Sequence, residues 1–275
     1  MKKIRFFWPL LSLLLTLPLF LNPVNADELF RVKQVYDGDT LLLEDGRRVR
    51  YLGINSPEFL EPFYLKAKHL NESLVLRKKI RLEFDQDKVD AYNRLLAYVY
   101  TGDQMVNARM VREGLAHAFF IGPNRKYQSL LLQAQAEARQ RMVGFWSVGG
   151  RPKDLKITSV HLGDPEKPDP SSPYVRIVNL SQGPIRLSGY ALSNESGKKY
   201  LFPNVSLDPG YTVIVASTEG KDGADERGQL VVHWPAQKTV WDAQEDTAFL
   251  ADSSGAVIDQ FHYKGKRPRP PSTPR

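Results

Sequence analysis

Two rhythms of apolar residues divide the chain. Up to about residue 148, short alternating runs are interleaved with stretches of helical period; beyond residue 150 the helical period fades and short β-prone runs remain. Residues 35–58, VYDGDTLLLEDGRRVRYLGINSPE, read as two strands and a turn. Leu41, Leu43, Val49 and Tyr51 hold the apolar positions, and Glu44-Asp45-Gly46 breaks the run between them. A helix is predicted over 62–76, with Pro62 in its first turn and Ala67, Leu70 and Leu74 on one face. Residues 78–84 alternate as a strand, 85–90 form a charged turn, and Tyr92-Asn93-Arg94 opens a strand over 95–100. A short helix over 105–115 is closed by Gly114. After an apolar strand or loop, Asn124 is the expected cap of a helix reaching about residue 141, and Gly144-Phe145-Trp146 returns an aromatic plug to this half.

The runs 155–162, 174–180, 211–217, 229–234, 247–252 and 256–263 are separated by turns rich in Pro, Gly, Ser and Asp, the spacing of a β-sandwich. Gly149-Gly150-Arg151-Pro152 marks the boundary, so the expected units are residues 27–150 and 151–265. With its barrel motifs complete by Trp146, the first unit is expected to fold alone. Residues 164–173 read as a loop within the second unit. The final KRPRPPSTPR, residues 266–275, reads as a basic, proline-rich disordered tail.

An antiparallel pair returns the chain to its start, so the hairpin brings Asp37, Asp39 and Thr40 to the same end as Asn55, Ser56 and Glu58, with Arg50 leading into the second group. Carboxylates suited to a hard cation, a candidate base and a guanidinium are the parts that phosphodiester cleavage requires. Arg94, placed immediately before LLAYVY, is a second guanidinium able to donate paired hydrogen bonds to phosphate. Elsewhere the sequence carries little chemistry. His117 is read as a surface or packing residue, Phe119 and Phe120 as core residues or a border of a nucleotide groove. His161, His233 and His262 fall on separate strands without ligand spacing.

Charge and the first residues add a location. The net charge is +7, but Lys2, Lys3 and Arg5 lie in a leader, leaving +4 for a form starting at Asp27, mild support for a polyanion partner. The second half carries 16 basic against 15 acidic residues, no strong polyanion signal. There is no cysteine, which excludes disulfides and thiolate metal sites. MKKIR, an apolar run interrupted by Pro9 and Pro18, and Val24 and Ala26 at the −3 and −1 positions describe a signal peptide over residues 1–26. Export to the periplasm or medium is therefore expected, with no transmembrane segment in the mature chain.

DGDT, R-x-L-G-I-N-S-P-E, AYNRLLAYVY and GFWS, in that order, resemble the landmarks of the staphylococcal nuclease (thermonuclease-like) family. The resemblance implies an α+β fold, an OB-type five-stranded barrel with three helices, and Ca²⁺-dependent hydrolysis of DNA and RNA leaving 3′-phosphate ends. Carried over by residue, it implies Asp39, Asn55 and the main-chain carbonyl of Ser56 as calcium ligands. It makes Arg50, Glu58 and Arg94 catalytic, and places Tyr92 near the bound nucleotide. Asn55 departs from the family's usual Asp, and Asn93 stands where Gly is common; Asn tolerates left-handed geometry. YVRIVNLSQGPIRLSGYALSNESGKKYLFPN, LDPGYTVIVAS and DTAFLADSSGAVIDQFHY, in that order, resemble the lamin-tail domain, an all-β immunoglobulin-like sandwich, here a binding or positioning module of unknown target. The chain is expected to act as a monomer. The alternative from the same fold is a non-catalytic nucleic-acid-binding OB-fold protein.

Overall fold

A computed structural model describes residues 28–59, 61–147, 153–163, 173–235 and 240–264. The expected leader, the Gly-Gly-Arg-Pro boundary, nearly all of the loop over 164–173 and the basic tail lie outside the described residues. Among the described residues, no helix is long and apolar enough to cross a membrane.

The first half is built on β1 (Leu29–Val35), β2 (Thr40–Leu43), β3 (Arg48–Tyr51), β4 (Ile54–Asn55), β5 (Lys79–Glu83), β6 (Leu95–Thr101), β7 (Gln104–Met105) and β8 (His117–Ala118). Strands pair in the order β3-β2-β1-β5-β6, and β3 pairs with β6 in parallel, closing a five-stranded barrel. The hairpin register sets Thr40 opposite Arg50 and Leu41 opposite Val49. Pleat alternation then sends Leu41, Leu43, Val49 and Tyr51 inward, and all four are buried. They meet Ile80, Ala97, Val99 and Val106 in one core. Three helices cover the barrel: α1 (Tyr64–Val75), α2 (Val106–Arg112) and α3 (Gln128–Gln140).

Local chemistry shifts several expected boundaries. Pro62 lies in the turn before α1 rather than in its first turn, because Phe63 takes a left-handed cap (φ 71°) and the helix begins at Tyr64. Met105 pairs with Tyr100 in β7, so α2 starts one residue later than expected. Asn124 is not a helix cap. Its amide accepts from Asp87 N (2.8 Å) and donates to Asp87 O (2.9 Å), pinning the charged turn, and α3 starts after Tyr127. Gly114 does end its helix, with φ 64°, and a Cβ there would stand 2.2 Å from the Val143 carbonyl oxygen.

In the second half, a five-stranded sheet is formed by β9 (Leu155–His161), β10 (Tyr174–Asn179), β15 (Thr212–Ala216), β16 (Gly223–Ala224) and β17 (Leu230–His233). A four-stranded sheet comprises β12 (Ala191–Ser193), β13 (Lys199–Leu201), β18 (Glu245–Ala251) and β19 (Val257–Lys264). A small ladder joins β11 (Ile185–Arg186) to β14 (Ser206–Leu207). The inward residues Ile157, Ile177, Leu192, Val213, Val215, Trp241 and Leu250 form one core. This is the sandwich that the six short runs predict.

The aromatic plug has a different role from the one expected. Trp146 is buried with Ala138 of α3 and with Val178 and Leu180 of the second half, and Phe119 and Phe145 pack around this cluster. Phe120 N donates to Gly210 O (2.8 Å), Gln135 Nε2 to Leu180 O (3.1 Å) and Arg139 Nη1 to the same carbonyl (2.8 Å). Arg227 pairs with Asp87 across the junction. The two halves are therefore joined by a buried, hydrogen-bonded interface, which the glycine-rich boundary gave no sign of.

Candidate active site

The turn between β1 and β2 delivers the acidic group. Asp39 N donates to Asp37 Oδ1 (2.9 Å), an Asx-type bond that curls the DGDT segment. Gly38 is required by close approach, since a Cβ would stand 2.6 Å from Ser56 Cβ and 2.9 Å from Ala67 Cβ. Ser56 N donates to Asp39 Oδ2 (2.6 Å), and Thr40 Oγ1 to Asp39 Oδ1 (3.1 Å). The two ends of the hairpin thus meet through a buried aspartate.

Arg50 clasps the group. Its Nη1 lies 2.9 Å from Asp39 Oδ1 and donates to Ile54 O (2.9 Å) and Tyr51 O (3.2 Å), while Nη2 donates to Asn55 Oδ1 (2.7 Å). The side chains of Arg50 and Asp39 are 14% and 6% exposed, so this pair is shielded, and a guanidinium held by four oxygens is oriented in advance. Burial pushes the Asp37 carboxyl up to about 7, with the Asp39 charge adding to it.

Glu58 stands at the rim. The residue is solvent-exposed, yet protein closes in on its carboxyl; this partial desolvation raises its pKa, the Asp39 charge raises it further, and Arg50 opposes both. Its main chain is fixed by Glu61, whose Oε2 accepts from Glu58 N (2.8 Å). Arg94 and Tyr92 make no direct contact with this cluster. Asp90 holds them, accepting from Tyr92 N and Arg94 N (both 2.9 Å) and from Arg94 Nε (2.7 Å), and the Arg94 guanidinium lies 5.4 Å from the Tyr92 ring centre. Asn93 takes the left-handed conformation (φ 58°) that the sequence anticipates. Leu96 pairs with Arg50 across the parallel β3–β6 ladder. Arg94 therefore shares the face of Arg50, with Cα atoms on the order of 8 Å apart from strand spacing and rise.

The residues fit a hard cation. The donors Asp37, Asp39, Asn55 Oδ1 and the Ser56 carbonyl are all oxygens, and the Arg50 guanidinium already bridges Asp39 and Asn55 as a stand-in positive charge. Among the described residues no three His, Asp or Glu side chains converge on one point.

Sequence reading missed the supports. Asn71, buried in α1, donates to Asp37 O (2.9 Å) and accepts from Tyr51 OH (2.8 Å); a polar residue between the buried Ala67 and Val75 was its only signal. His117 is not at the surface: it is 2% exposed, its Nδ1 lies 2.9 Å from Ala118 O, and burial pushes its pKa down to about 3, with the Lys156 charge adding. Phe120 is core. The three remaining strand histidines stay apart. His161 stacks on Tyr174, His233 meets Asp222 and His262 meets Thr247 and Glu245.

Comparisons with known proteins agree with this geometry. The profile of the family described as "Staphylococcal nuclease homologue" matches residues 48–148, and that of the "Lamin Tail Domain" matches residues 150–265. The thermonuclease of Staphylococcus intermedius is 39% identical over 128 residues, covering 43% of this chain and 76% of that protein. The thermonuclease of Staphylococcus hyicus is 37% identical over 133 residues, 45% of this chain and 79% of that protein. Endonuclease YncB of Bacillus subtilis is 37% identical over 125 residues, 42% and 59% of the two chains. With the closed barrel, the clasped aspartate and these relatives together, the chain belongs to the staphylococcal nuclease family, a phosphodiester-hydrolysing nuclease followed by a lamin-tail domain.

Proposed function

We propose that the protein is an exported, Ca²⁺-dependent nuclease that cleaves DNA and RNA and leaves 3′-phosphate ends. The observation that carries this reading is the clasp itself: Asp39, Asn55, Ser56 and Arg50 joined by direct contacts, with Glu58 electrostatically coupled beside them. Asp39, Asn55 Oδ1 and the Ser56 carbonyl, with Asp37 behind them, would hold the calcium ion, which supplies Lewis-acid charge against the phosphate when bound. Glu58 orients the attacking water and takes its proton; the partial burial that raises its pKa makes it a better base while leaving it reachable from solvent. Arg50 and Arg94, on one barrel face, donate to the non-bridging oxygens as charge builds in the transition state. For Arg50 this requires release from Asp39, an exchange of one anionic partner for another. Tyr92 lies beside Arg94 and borders the nucleotide.

The unit boundaries near residues 26, 150 and 265 and the monomeric state belong to the same reading. Export follows from the leader pattern, and a calcium site short of one carboxylate is useful where calcium is plentiful. Activity on single-stranded DNA in calcium, with Arg50→Ala and Arg94→Ala each slowed about 10²–10³-fold, tests the assignment. Either variant at full rate removes that arginine from the mechanism.

A further inference from the structure

The approach to α1 carries apolar side chains that no core takes up. Phe59 is 70% exposed and Leu65 62%. Together with Tyr64 they belong to none of the apolar cores among the described residues. Phe59 meets Tyr64 edge to face, with ring centres 5.5 Å apart. With Glu61, Phe63 and Lys66 they line an open groove of about 470 Å³, a volume that seats a small organic group. A single exposed phenylalanine is ordinary, whereas a contiguous apolar patch marks a contact with another molecule.

The groove adjoins the candidate site. Phe59 follows Glu58 directly, which sets their Cα atoms about 3.8 Å apart. Tyr64 OH donates to the carbonyl of Tyr36 (3.1 Å), the residue before Asp37. The two rings are thus tied to the two segments that supply Glu58 and the aspartates. Charge selects the occupant. The Glu61 carboxylate is already engaged, with Oε1 on Lys156 (2.8 Å) and Oε2 on Glu58 N (2.8 Å). The Lys66 ammonium lies 5.0 Å from the Phe63 ring centre and pairs with no acid among the described residues. An apolar groove whose open charge is positive suits a polyanion that carries flat faces. A single nucleic-acid strand has both, a phosphate for the lysine and base faces for the rings. In a duplex those faces are already stacked.

We propose that the groove of Phe59, Tyr64 and Leu65 is a stacking subsite for an unpaired nucleobase of single-stranded substrate, with Lys66 on an adjoining phosphate. The base it takes lies close along the strand to the phosphodiester held at Arg50. The subsite rests on the nuclease reading above.

The test divides kcat/KM on single-stranded oligothymidylate by kcat/KM on a strand of the same length whose sugars carry no bases, for the chain from Asp27 onward in calcium. Phe59→Leu keeps an exposed apolar side chain and loses the flat ring, whereas Phe59→Trp keeps a ring. Stacking of one base on an aromatic side chain is worth about tenfold or more. The ratio is expected to fall about tenfold in Phe59→Leu, through KM on oligothymidylate, and to stay at or above wild type in Phe59→Trp. Lys66→Ala should raise KM on both strands alike and flatten its dependence on salt. A wild-type ratio in Phe59→Leu, an equal fall in Phe59→Trp, or a KM that Lys66→Ala leaves unmoved overturns the subsite alone. Sedimentation of the wild-type protein with anionic phospholipid vesicles, beside such a result, would assign the patch to a membrane surface. A wild-type protein that cleaves neither strand overturns the nuclease reading, and the subsite with it.

Discussion

Cutting the chain after Ser147 is the perturbation that the interface makes most informative. The sequence marks a boundary there, yet Trp146 is 1% exposed, and Val178 and Leu180 of the second half form part of its cover. A tryptophan buries about 150–250 Å². If half of that cover comes from the second half, its loss costs about 2–3 kcal/mol at 25 cal/mol per Å². Uncovering Phe119 and Phe120 and losing the bonds from Gln135 and Arg139 to Leu180 O adds about 2 kcal/mol more. A loss of about 4 kcal/mol from a domain of ordinary stability leaves it folded but weakened. The expected fall in melting temperature is about 15 °C. Circular dichroism at 222 nm is the suitable assay, because the α-helices among the described residues all lie in the barrel half. Trp146 becomes the sole tryptophan of the shortened, leaderless form, so its emission should also shift to the red. A midpoint within 3 °C of the mature chain, roughly the change that 1 kcal/mol produces, would refute the claim that the two halves share a core.

Other outcomes follow from the same contacts. Asn55→Asp adds a charged oxygen to the proposed calcium site, so half-maximal activity should be reached at lower calcium; unchanged or weaker calcium binding by calorimetry would show that the new carboxylate is spent on Arg50 instead. Asp90→Ala removes the anchor of Arg94, and kcat should fall about tenfold while the melting temperature moves little, since the pair is partly exposed. His117 titrates lower in the folded than in the unfolded chain, so its contribution to stability is complete above pH 6.5 and is lost as pH falls toward 3. From pH 6.5 to 5 that loss is about 2 kcal/mol, and urea unfolding of His117→Leu should lack that part of the slope.

The barrel and sandwich strands were legible because alternation directly reports which face is buried, as Leu41, Leu43, Val49 and Tyr51 illustrate. The candidate site was legible as a list of residues, of which the structure joins Asp39, Arg50, Asn55 and Ser56 by direct contacts. Less could be read where one residue type serves two uses. Asn124 has the chemistry of a helix cap but spends its amide on the Asp87 main chain. Asn71 interrupts an apolar helix face, a signal too weak to reveal that it braces Asp37. The role of Trp146 depends on Val178 and Leu180, more than thirty positions away, and no local period encodes that pairing.

The most direct test of the central claim is the initial rate of cleavage of single-stranded DNA and of RNA by the chain from Asp27 onward, in calcium and in excess chelator, beside Glu58→Gln. Cleavage of both polymers is expected in calcium, none above background with chelator, and a loss of about 10²–10⁴-fold in the variant. Undiminished cleavage in chelator, or a Glu58→Gln protein as fast as wild type, would contradict it.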